Sequence, residues 1–342
     1  MGSTRAAVGA LQSNRVSASP RSRGAAWAGA LLALAVLTGT AGLSSSAAAT
    51  PGSSAPAGAQ YPVGTIAEGL VTEITDPGGM PPGVVNGPCT PPADHPYPVV
   101  LVHGTFANEN VSWQALAPML ADARYCVFGF DYGATADTDG RFYAEAAVES
   151  SAAQLADFVR QVLAWTGAAQ VDIVGHSQGG MMPRYYMKFL GGASLVHTLV
   201  GLAPSNHGTT LDGLTTLAGL FGDAEYQFGS QVGCPACSEQ IAGSPFLQNL
   251  NAGGDTAPGP RYVVIESEDD EVVTPYASAF LSGPQVIDVT LQDQCPTDLS
   301  DHLGIIYDPV ALQDVMAALA EDGGPLAPLP PPACPVVPPF VG

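Results

Sequence analysis

A serine, an acid and a histidine occur in this chain at positions where together they could carry out acyl transfer. Ser177 lies in the pentapeptide Gly-His-Ser-Gln-Gly at 175–179, directly after a segment in which Val171, Ile173 and Val174 are apolar. The residues after it include few strand formers, so the pattern predicts a strand, a sharp turn and a helix. Such a turn strains the backbone of the serine and leaves room only for glycine at positions 175 and 179. We therefore interpret Ser177 as a nucleophile.

A serine hydroxyl is a weak nucleophile unless an imidazole takes its proton and a carboxylate orients that imidazole. Asp270 follows the predicted strand 261–265, and His302 follows the predicted strand 285–291. Of the 6 histidines, His302 alone comes after both the serine and the acid, which is the order expected when each residue ends a strand of one sheet. Asp270 is our candidate acid, and the neighbouring Asp269 is the alternative.

Backbone N–H groups must point at the oxygen that becomes negative when such a serine attacks a carbonyl carbon. The residue after the nucleophile supplies one of them, here Gln178. The second is expected from the segment 103–106, which follows the first apolar run. We choose Thr105, whose hydroxyl could add a third donor, and keep Phe106 as the alternative.

Apolar runs and amphipathic segments alternate along the chain. Strands are expected at 98–102, 125–130, 171–174, 196–202, 261–265 and 285–291, and helices at 112–123, 142–165, 179–190 and 309–319. Continuous apolar runs are typical of strands buried on both faces. With right-handed crossovers, this order predicts an α/β fold with a mostly parallel, doubly wound sheet, helices on both faces, and a site at the carboxyl ends of the strands.

The N-terminal region has the composition of an export signal. Residues 1–23 hold four arginines and no acid, an apolar stretch follows at 25–43, and Ala47–Ala49 provide a small-residue cleavage pattern. We expect a signal peptide at 1–49, a flexible leader at 50–60, a catalytic domain at 61–324 and a proline-rich extension at 325–342. The mature protein is therefore expected to be secreted and extracellular.

The chain is strongly acidic, with a formal net charge of −21 at pH 7. A nucleic acid is therefore not an expected partner. We expect no cofactor and no metal, since no loop has a recognisable calcium-ligand spacing. We also expect a monomer without an integral membrane segment once the signal peptide has been removed.

The 6 cysteines of an exported chain predict three disulfides, although the sequence alone allows fifteen pairings. We predict the pairs Cys89 with Cys126, Cys234 with Cys237 and Cys295 with Cys334. The first would tie an N-terminal loop to the strand at 125–130, and the last would hold the proline-rich extension against the loop of His302. The Cys-Pro-Ala-Cys spacing of the second pair also fits a redox or zinc motif, which is the alternative.

The motifs of this chain resemble those of secreted bacterial lipases of the α/β-hydrolase superfamily, in particular the actinobacterial lipases grouped as class 2. The resemblance rests on five blocks in order: Val-Leu-Val-His-Gly-Thr at 100–105, Val-Gly-His-Ser-Gln-Gly-Gly at 174–180, Ala-Pro-Ser-Asn-His-Gly-Thr at 203–209, Asp-Glu-Val-Val-Thr-Pro at 270–275 and Asp-His-Leu-Gly-Ile at 301–305. It implies that Ser177, Asp270 and His302 form a triad, that Thr105 and Gln178 form an oxyanion hole, and that carboxylic esters are the substrates.

The resemblance favours a triacylglycerol lipase acting through an acyl-enzyme on Ser177, with a lipid–water interface as a further candidate partner. A short-chain carboxylesterase, a cutinase-like polyester hydrolase or a secreted acyltransferase would use the same residues. An inactive binding module is a further alternative, but such modules usually lose a triad residue. Large apolar residues after the third block form either a modest lid or a helix packed on the core: Leu211, Leu214, Leu217, Leu220 and Phe221.

Overall fold

The computed structural model describes residues 61–76, 78–135, 142–220, 233–320 and 328–340. All of them belong to one unit, Ala49–Gly342. The signal peptide and leader expected at 1–60 lie outside the described residues, as does Phe221. Within the described ranges, no helix is both long and apolar enough to cross a membrane.

Six strands form the centre of the fold: β1 (Val99–Val102), β2 (Val127–Gly129), β3 (Val171–His176), β4 (Val196–Leu202), β5 (Arg261–Glu266) and β6 (Val286–Thr290). They make one parallel sheet in the order β2-β1-β3-β4-β5-β6. All six predicted strands are therefore present. The chain runs from β1 to β2 and then crosses to β3 on the other side of β1, which creates a switch point between β1 and β3.

Helices cover both faces of this sheet. They are α1 (Ile66–Thr75), α2 (Glu109–Ser112), α3 (Leu116–Asp122), α4 (Val148–Thr166), α5 (Gln178–Phe189), α6 (Leu211–Leu220), α7 (Pro235–Glu239), α8 (Pro245–Asn251), α9 (Leu291–Gln294) and α10 (Pro309–Leu319). Alternate residues of β1 enter two separate apolar cores: Val100 and Val102 pack with α4 and α5, and Val99 and Leu101 pack with α3 and α10. The doubly wound arrangement is thus confirmed.

Two of the predicted helices have different bounds in the structure. The single helix expected at 112–123 is wrong, because α2 ends at Ser112 and α3 begins at Leu116. Pro118 lies in the first turn of α3, where the helix does not need the N–H that proline lacks, and this favours a helix that begins near Leu116. The helix expected from 142 begins instead at Val148, because Tyr143 exchanges backbone hydrogen bonds with the loop after β1.

Three disulfides join the cysteines in the predicted pairs, Cys89–Cys126, Cys234–Cys237 and Cys295–Cys334. The sulfur atoms of Cys234 and Cys237 are therefore bonded to each other, which leaves neither to bind zinc. The proline-rich segment at 328–340 contains no helix and runs along the loop before His302. There, Leu299 N–H donates to the carbonyl of Val337 at 2.9 Å.

Candidate active site

Ser177 stands in the turn between β3 and α5 with φ of 54° and ψ of −122°. A side chain at Gly175 would collide with the Gly179 carbonyl, and one at Gly179 would collide with the carbonyl of Val102 in β1. These contacts explain why both flanking positions require glycine. The strained turn predicted from the pentapeptide is present, and it lies at the switch point of the sheet.

His302 and Asp270 form a buried hydrogen-bonded pair beside this turn. The Nδ1 atom of His302 lies 2.7 Å from Oδ2 of Asp270, and both side chains are fully buried. The second carboxylate oxygen of Asp270 accepts the N–H groups of Val272 and Val273, each at 2.7 Å. Asp269, the alternative acid, is exposed instead. The carboxylate of Asp270 thus holds the imidazole in one orientation and favours a proton on Nδ1.

The Nε2 atom of His302 is buried and has no hydrogen-bond partner among the described residues. Burial alone lowers the pKa of His302, but the carboxylate of Asp270, with those of Glu271 and Asp301, outweighs burial and leaves the pKa above its ordinary value. Opposite charges at short distance favour the protonated imidazole in this way. The ring is therefore suited to accept a proton on Nε2.

His176, the residue before Ser177, fixes the backbone of His302. Its Nε2 donates to the His302 carbonyl at 2.9 Å, and the two rings lie 4.8 Å apart. Burial, followed by the proximity of His302, lowers the pKa of His176 to about 3. A neutral His176 therefore joins the serine turn to the histidine loop without adding a charge. The sequence signal was only its place beside the serine.

Two backbone N–H groups at the ends of β1 and β3 are available to a substrate oxygen. Within the described residues, no hydrogen bond uses the N–H of Thr105 or that of Gln178. The N–H of Phe106, the alternative donor, is already bonded to the Tyr143 carbonyl at 2.9 Å. The N–H groups of Thr105 and Gln178 thus have no other partner among the described residues, and their role as oxyanion donors stays a prediction.

The side chains of the two candidate donors meet a third residue that the sequence did not indicate. Thr105 Oγ1 donates to Gln178 Oε1 at 2.7 Å. The Nε2 atom of Gln240, the residue after α7, donates to Thr105 Oγ1 at 3.0 Å and to Gln178 Oε1 at 3.1 Å. The only nearby sequence signal is the Cys-Pro-Ala-Cys segment that begins α7, and it does not predict this contact.

Glu266, at the end of β5, is another residue that sequence reasoning missed. It is fully buried, and its Oε1 accepts the N–H of Ser267 at 2.9 Å. Burial, followed by the charge of Asp270, raises the pKa of Glu266 well above its ordinary value. A protonated Glu266 places no second negative charge against the Asp270 carboxylate.

An apolar cavity opens beside Thr105, one of the two candidate donors. Its wall includes Thr105, His176 and Leu303, with Leu70 of α1 and Phe340 of the C-terminal segment. Leu70 and Phe340 are also 41% and 38% exposed to solvent. The cavity wall is almost entirely apolar, so it suits a hydrocarbon substituent rather than a charged one.

The leucine-rich segment at 211–220 forms helix α6. Leu214 and Leu217 are only 1% and 2% exposed, so these two side chains pack on the core. The side chains of Leu211 and Leu220 lie outside the described part of the molecule. Among the described residues, no cluster of three or more His, Cys, Asp or Glu side chains could hold a metal ion.

A family model described as lipase (class 2) matches residues 96–314, which is more than half of the chain. The chain belongs to the class 2 lipase family. The matched range contains all five candidate site residues, together with Gln240. The segments that contribute Leu70 and Phe340 to the cavity lie outside it.

Two relatives of the chain agree with this family assignment. The chain is 37% identical over 94 residues to a triacylglycerol lipase of Pseudarthrobacter phenanthrenivorans, over 26% of this chain and 27% of the relative. It is also 37% identical over 94 residues to a triacylglycerol lipase of Burkholderia plantarii, over 26% of this chain and 24% of the relative. The match thus spans about a quarter of the length of each relative.

The structure of lipase B from Aspergillus fumigatus is similar to this chain, with a TM-score of 0.57 and 23% identity. The similarity covers 72% of this chain and 56% of the fungal one. Together with the six-stranded parallel sheet, it shows that this member of the class 2 lipase family has the α/β-hydrolase fold.

Proposed function

We propose that this chain is a secreted carboxylic ester hydrolase, and specifically a triacylglycerol lipase, which forms an acyl-enzyme on Ser177. The observation that carries the proposal is the buried pair of His302 and Asp270, 2.7 Å apart, beside the strained serine turn. The name of the Pseudarthrobacter and Burkholderia relatives, triacylglycerol lipase, supports the substrate class.

In the first half of the reaction, His302 Nε2 takes the proton of the Ser177 hydroxyl as Oγ attacks the ester carbonyl carbon. The negative charge that develops on the carbonyl oxygen is stabilised by the N–H groups of Thr105 and Gln178. The bond to the alcohol oxygen then breaks, and the protonated His302 gives its proton to that oxygen. The products are a free alcohol and an acyl group esterified to Ser177.

In the second half, a water molecule gives a proton to His302 Nε2 and attacks the acyl carbon. The same N–H groups stabilise the second oxyanion. When the bond to Ser177 Oγ breaks, the serine recovers its proton from His302 and the carboxylic acid leaves. Throughout both halves, Asp270 keeps the imidazole oriented and stabilises its protonated form.

The apolar cavity beside Thr105 supports an ester with a hydrocarbon substituent. Partly exposed Leu70 and Phe340 on its wall are suited to contact with a lipid–water interface. We propose a monomer with residues 61–324 as the catalytic domain and 325–342 as its extension. No nucleic acid enters the proposal, because the formal net charge of −21 would repel phosphate groups.

Secretion rests on two features of the chain. The first is the arginine-containing, then apolar, segment at 1–49, which we propose is removed as a signal peptide before a leader at 50–60. The second is the presence of three disulfides in the described residues, which persist in oxidising compartments.

The test is hydrolysis of esters with acyl chains of two to eighteen carbons, including emulsified triglyceride, by the wild-type protein and by Ser177→Ala. We expect turnover of long-chain triglyceride by the wild type and a loss of roughly 10⁴-fold or more in the variant. Activity confined to short soluble esters would identify a carboxylesterase or polyester hydrolase instead. Full activity in Ser177→Ala would contradict the proposed nucleophile.

A further inference from the structure

Gln240 joins its own segment to three others at the candidate oxyanion hole. Its Nε2 donates to Thr105 Oγ1 after β1 and to Gln178 Oε1 at the start of α5, and the Ala236 carbonyl in α7 is a third acceptor at 3.2 Å. Its Oε1 accepts the hydroxyl of Ser205, after β4, at 2.8 Å. All four side chains are at most 2% exposed, so water cannot replace these bonds. The amide of Gln240 is therefore held in one orientation from both ends.

The hydroxyl proton of Thr105 is bonded to Gln178 Oε1 in this structure. To donate to a substrate oxyanion, that proton would have to turn away from Gln178. A buried carbonyl oxygen left without a donor is costly, so the Thr105 hydroxyl could not turn freely if it were the only donor to Gln178 Oε1. The Nε2 of Gln240 is a second donor to Gln178 Oε1, so this oxygen keeps a hydrogen bond after the proton has turned.

The bond from Gln240 to Thr105 has a further consequence. Gln240 Nε2 donates a hydrogen bond to Thr105 Oγ1. This bond occupies one lone pair of the hydroxyl oxygen, so the Thr105 O–H bond cannot point toward Gln240. The hydroxyl proton must then point elsewhere, toward Gln178 or toward a substrate. A donor that is oriented before the reaction stabilises a developing charge without reorganisation.

We propose that Gln240 is a positioning residue of the oxyanion hole, which holds Gln178 and Thr105 so that the Thr105 hydroxyl becomes the third donor to the oxyanion. Gln240 itself does not touch the substrate. The inference rests on the proposed function, since it assigns a role within the same ester hydrolysis. It differs from that proposal in predicting an energetic coupling between Gln240 and Thr105.

The experiment is a double-mutant cycle with Gln240→Met, which keeps the size of the side chain, and Thr105→Val, which removes the hydroxyl. We expect Gln240→Met to lower kcat roughly tenfold or more, with KM changed less than about threefold, because the oxyanion exists only after the attack. In the Thr105→Val background, Gln240→Met should change kcat less than about twofold, because the hydroxyl that it orients is gone.

Two further variants provide a second test of the network and a matched control. Ser205→Ala removes only the bond to Gln240 Oε1, and we expect a smaller loss of kcat in a protein that folds normally. Gln248→Met makes the same change at an exposed position of α8, where the side chain binds the Gly243 carbonyl, and it should match the wild type. Ser205→Ala therefore tests the network even if Gln240→Met fails to fold.

Equal losses of kcat from Gln240→Met in both backgrounds would show a merely structural role and overturn the inference. Wild-type kcat in Gln240→Met, or in Ser205→Ala if the first variant does not fold, would also overturn it. In either case an active wild type and an inactive Ser177→Ala would leave the proposed function intact. A wild-type protein without esterase activity would overturn both.

Discussion

His302 contacts two carboxylates through different atoms, and these contacts influence the pH at which its imidazole accepts a proton. Its ring nitrogen binds Asp270 at 2.7 Å, and its backbone N–H donates to Glu271 Oε2 at 3.2 Å. Glu271 stabilises the protonated ring through its negative charge and does not replace Asp270 as the orienting group. The acid and the second carboxylate are therefore adjacent in sequence but contact different atoms of the same histidine.

The activity of the wild-type protein should depend on the protonation of His302. We expect kcat/KM to rise with pH, because only the neutral ring of His302 can take the serine proton. The midpoint of this rising limb should lie above pH 6.5, because the carboxylates raise the pKa of His302. Glu271→Gln removes one negative charge that favours the protonated ring, so the limb should move to lower pH. The measurement is kcat/KM for a soluble ester at a series of pH values.

Glu268→Gln is the matched control for this prediction. Glu268 is exposed and three residues before Glu271, and the structure shows no contact between its side chain and His302. This variant should keep the wild-type pH limb. A limb that stays in place or moves upward in Glu271→Gln would show that Glu271 does not stabilise the protonated histidine.

At the scale of elements, the C-terminal segment is attached to the loop that carries His302. After α9, the disulfide Cys295–Cys334 joins this loop to the proline-rich segment. Asp298 forms an isolated parallel bridge with Val337, so backbone hydrogen bonds reinforce the disulfide. The loop contains no regular strand of its own, and its conformation therefore depends on these attachments.

Two of the disulfides offer a matched comparison, because they close loops of similar length. Cys89–Cys126 and Cys295–Cys334 have sequence separations of 37 and 39, so replacing either pair by alanine should lower the free energy of unfolding by about 4 kcal/mol. Only the second pair holds the His302 loop. We expect kcat, measured well below the melting temperature, to fall for that pair and to stay near the wild-type value for the first.

Thermal or denaturant unfolding together with steady-state kinetics on both double variants would check this expectation. Equal effects on kcat from the two pairs would mean that the C-terminal segment does not control the His302 loop. A loss of stability from one pair alone would contradict the loop-length argument.

At the scale of the whole molecule, the sequence predicted the features that depend on local patterns. The six strands follow from apolar runs, and the order of serine, acid and histidine follows from the sheet that these runs form. Helix α1 was missed because it lies at the start of the glycine- and proline-rich stretch before β1, although Thr65 and Glu68 form a capping box at its start. Gln240 was missed because its role depends on where α7 packs. No local sequence pattern predicts the contact between Gln240 and Thr105, which are 135 residues apart.

Buried carboxyl groups give the whole molecule an unusual dependence of stability on pH. Burial, reinforced by neighbouring carboxylates, raises the pKa of Asp298 and that of Asp314 to about 7 from an ordinary 3.8. Burial and the proximity of Asp131 raise the pKa of Glu109 to about 8 from 4.5. The unfolded chain therefore loses these protons at a lower pH than the folded chain does.

The folded state should consequently lose stability as pH rises from about 4 to about 8. We expect the melting temperature to be lower at pH 8 than at pH 5. Asp314→Asn should reduce this difference, because the amide has no proton to lose. Asp212→Asn, at an exposed position of α6, should leave it unchanged. A difference between pH 5 and pH 8 that is the same in Asp314→Asn as in the wild type would contradict the assignment of a protonated Asp314.

The central claim is that Ser177 is the nucleophile of a buried triad, and covalent labelling tests it most directly. The protein would be incubated with an alkylphosphonate aryl ester, which transfers its phosphonyl group to an activated serine, and the adduct would be located by peptide mass spectrometry. We expect one adduct on Ser177, a much slower reaction in His302→Ala, and none in Ser177→Ala. An adduct on a different residue, or ester hydrolysis that continues in a protein fully labelled at Ser177, would contradict the account.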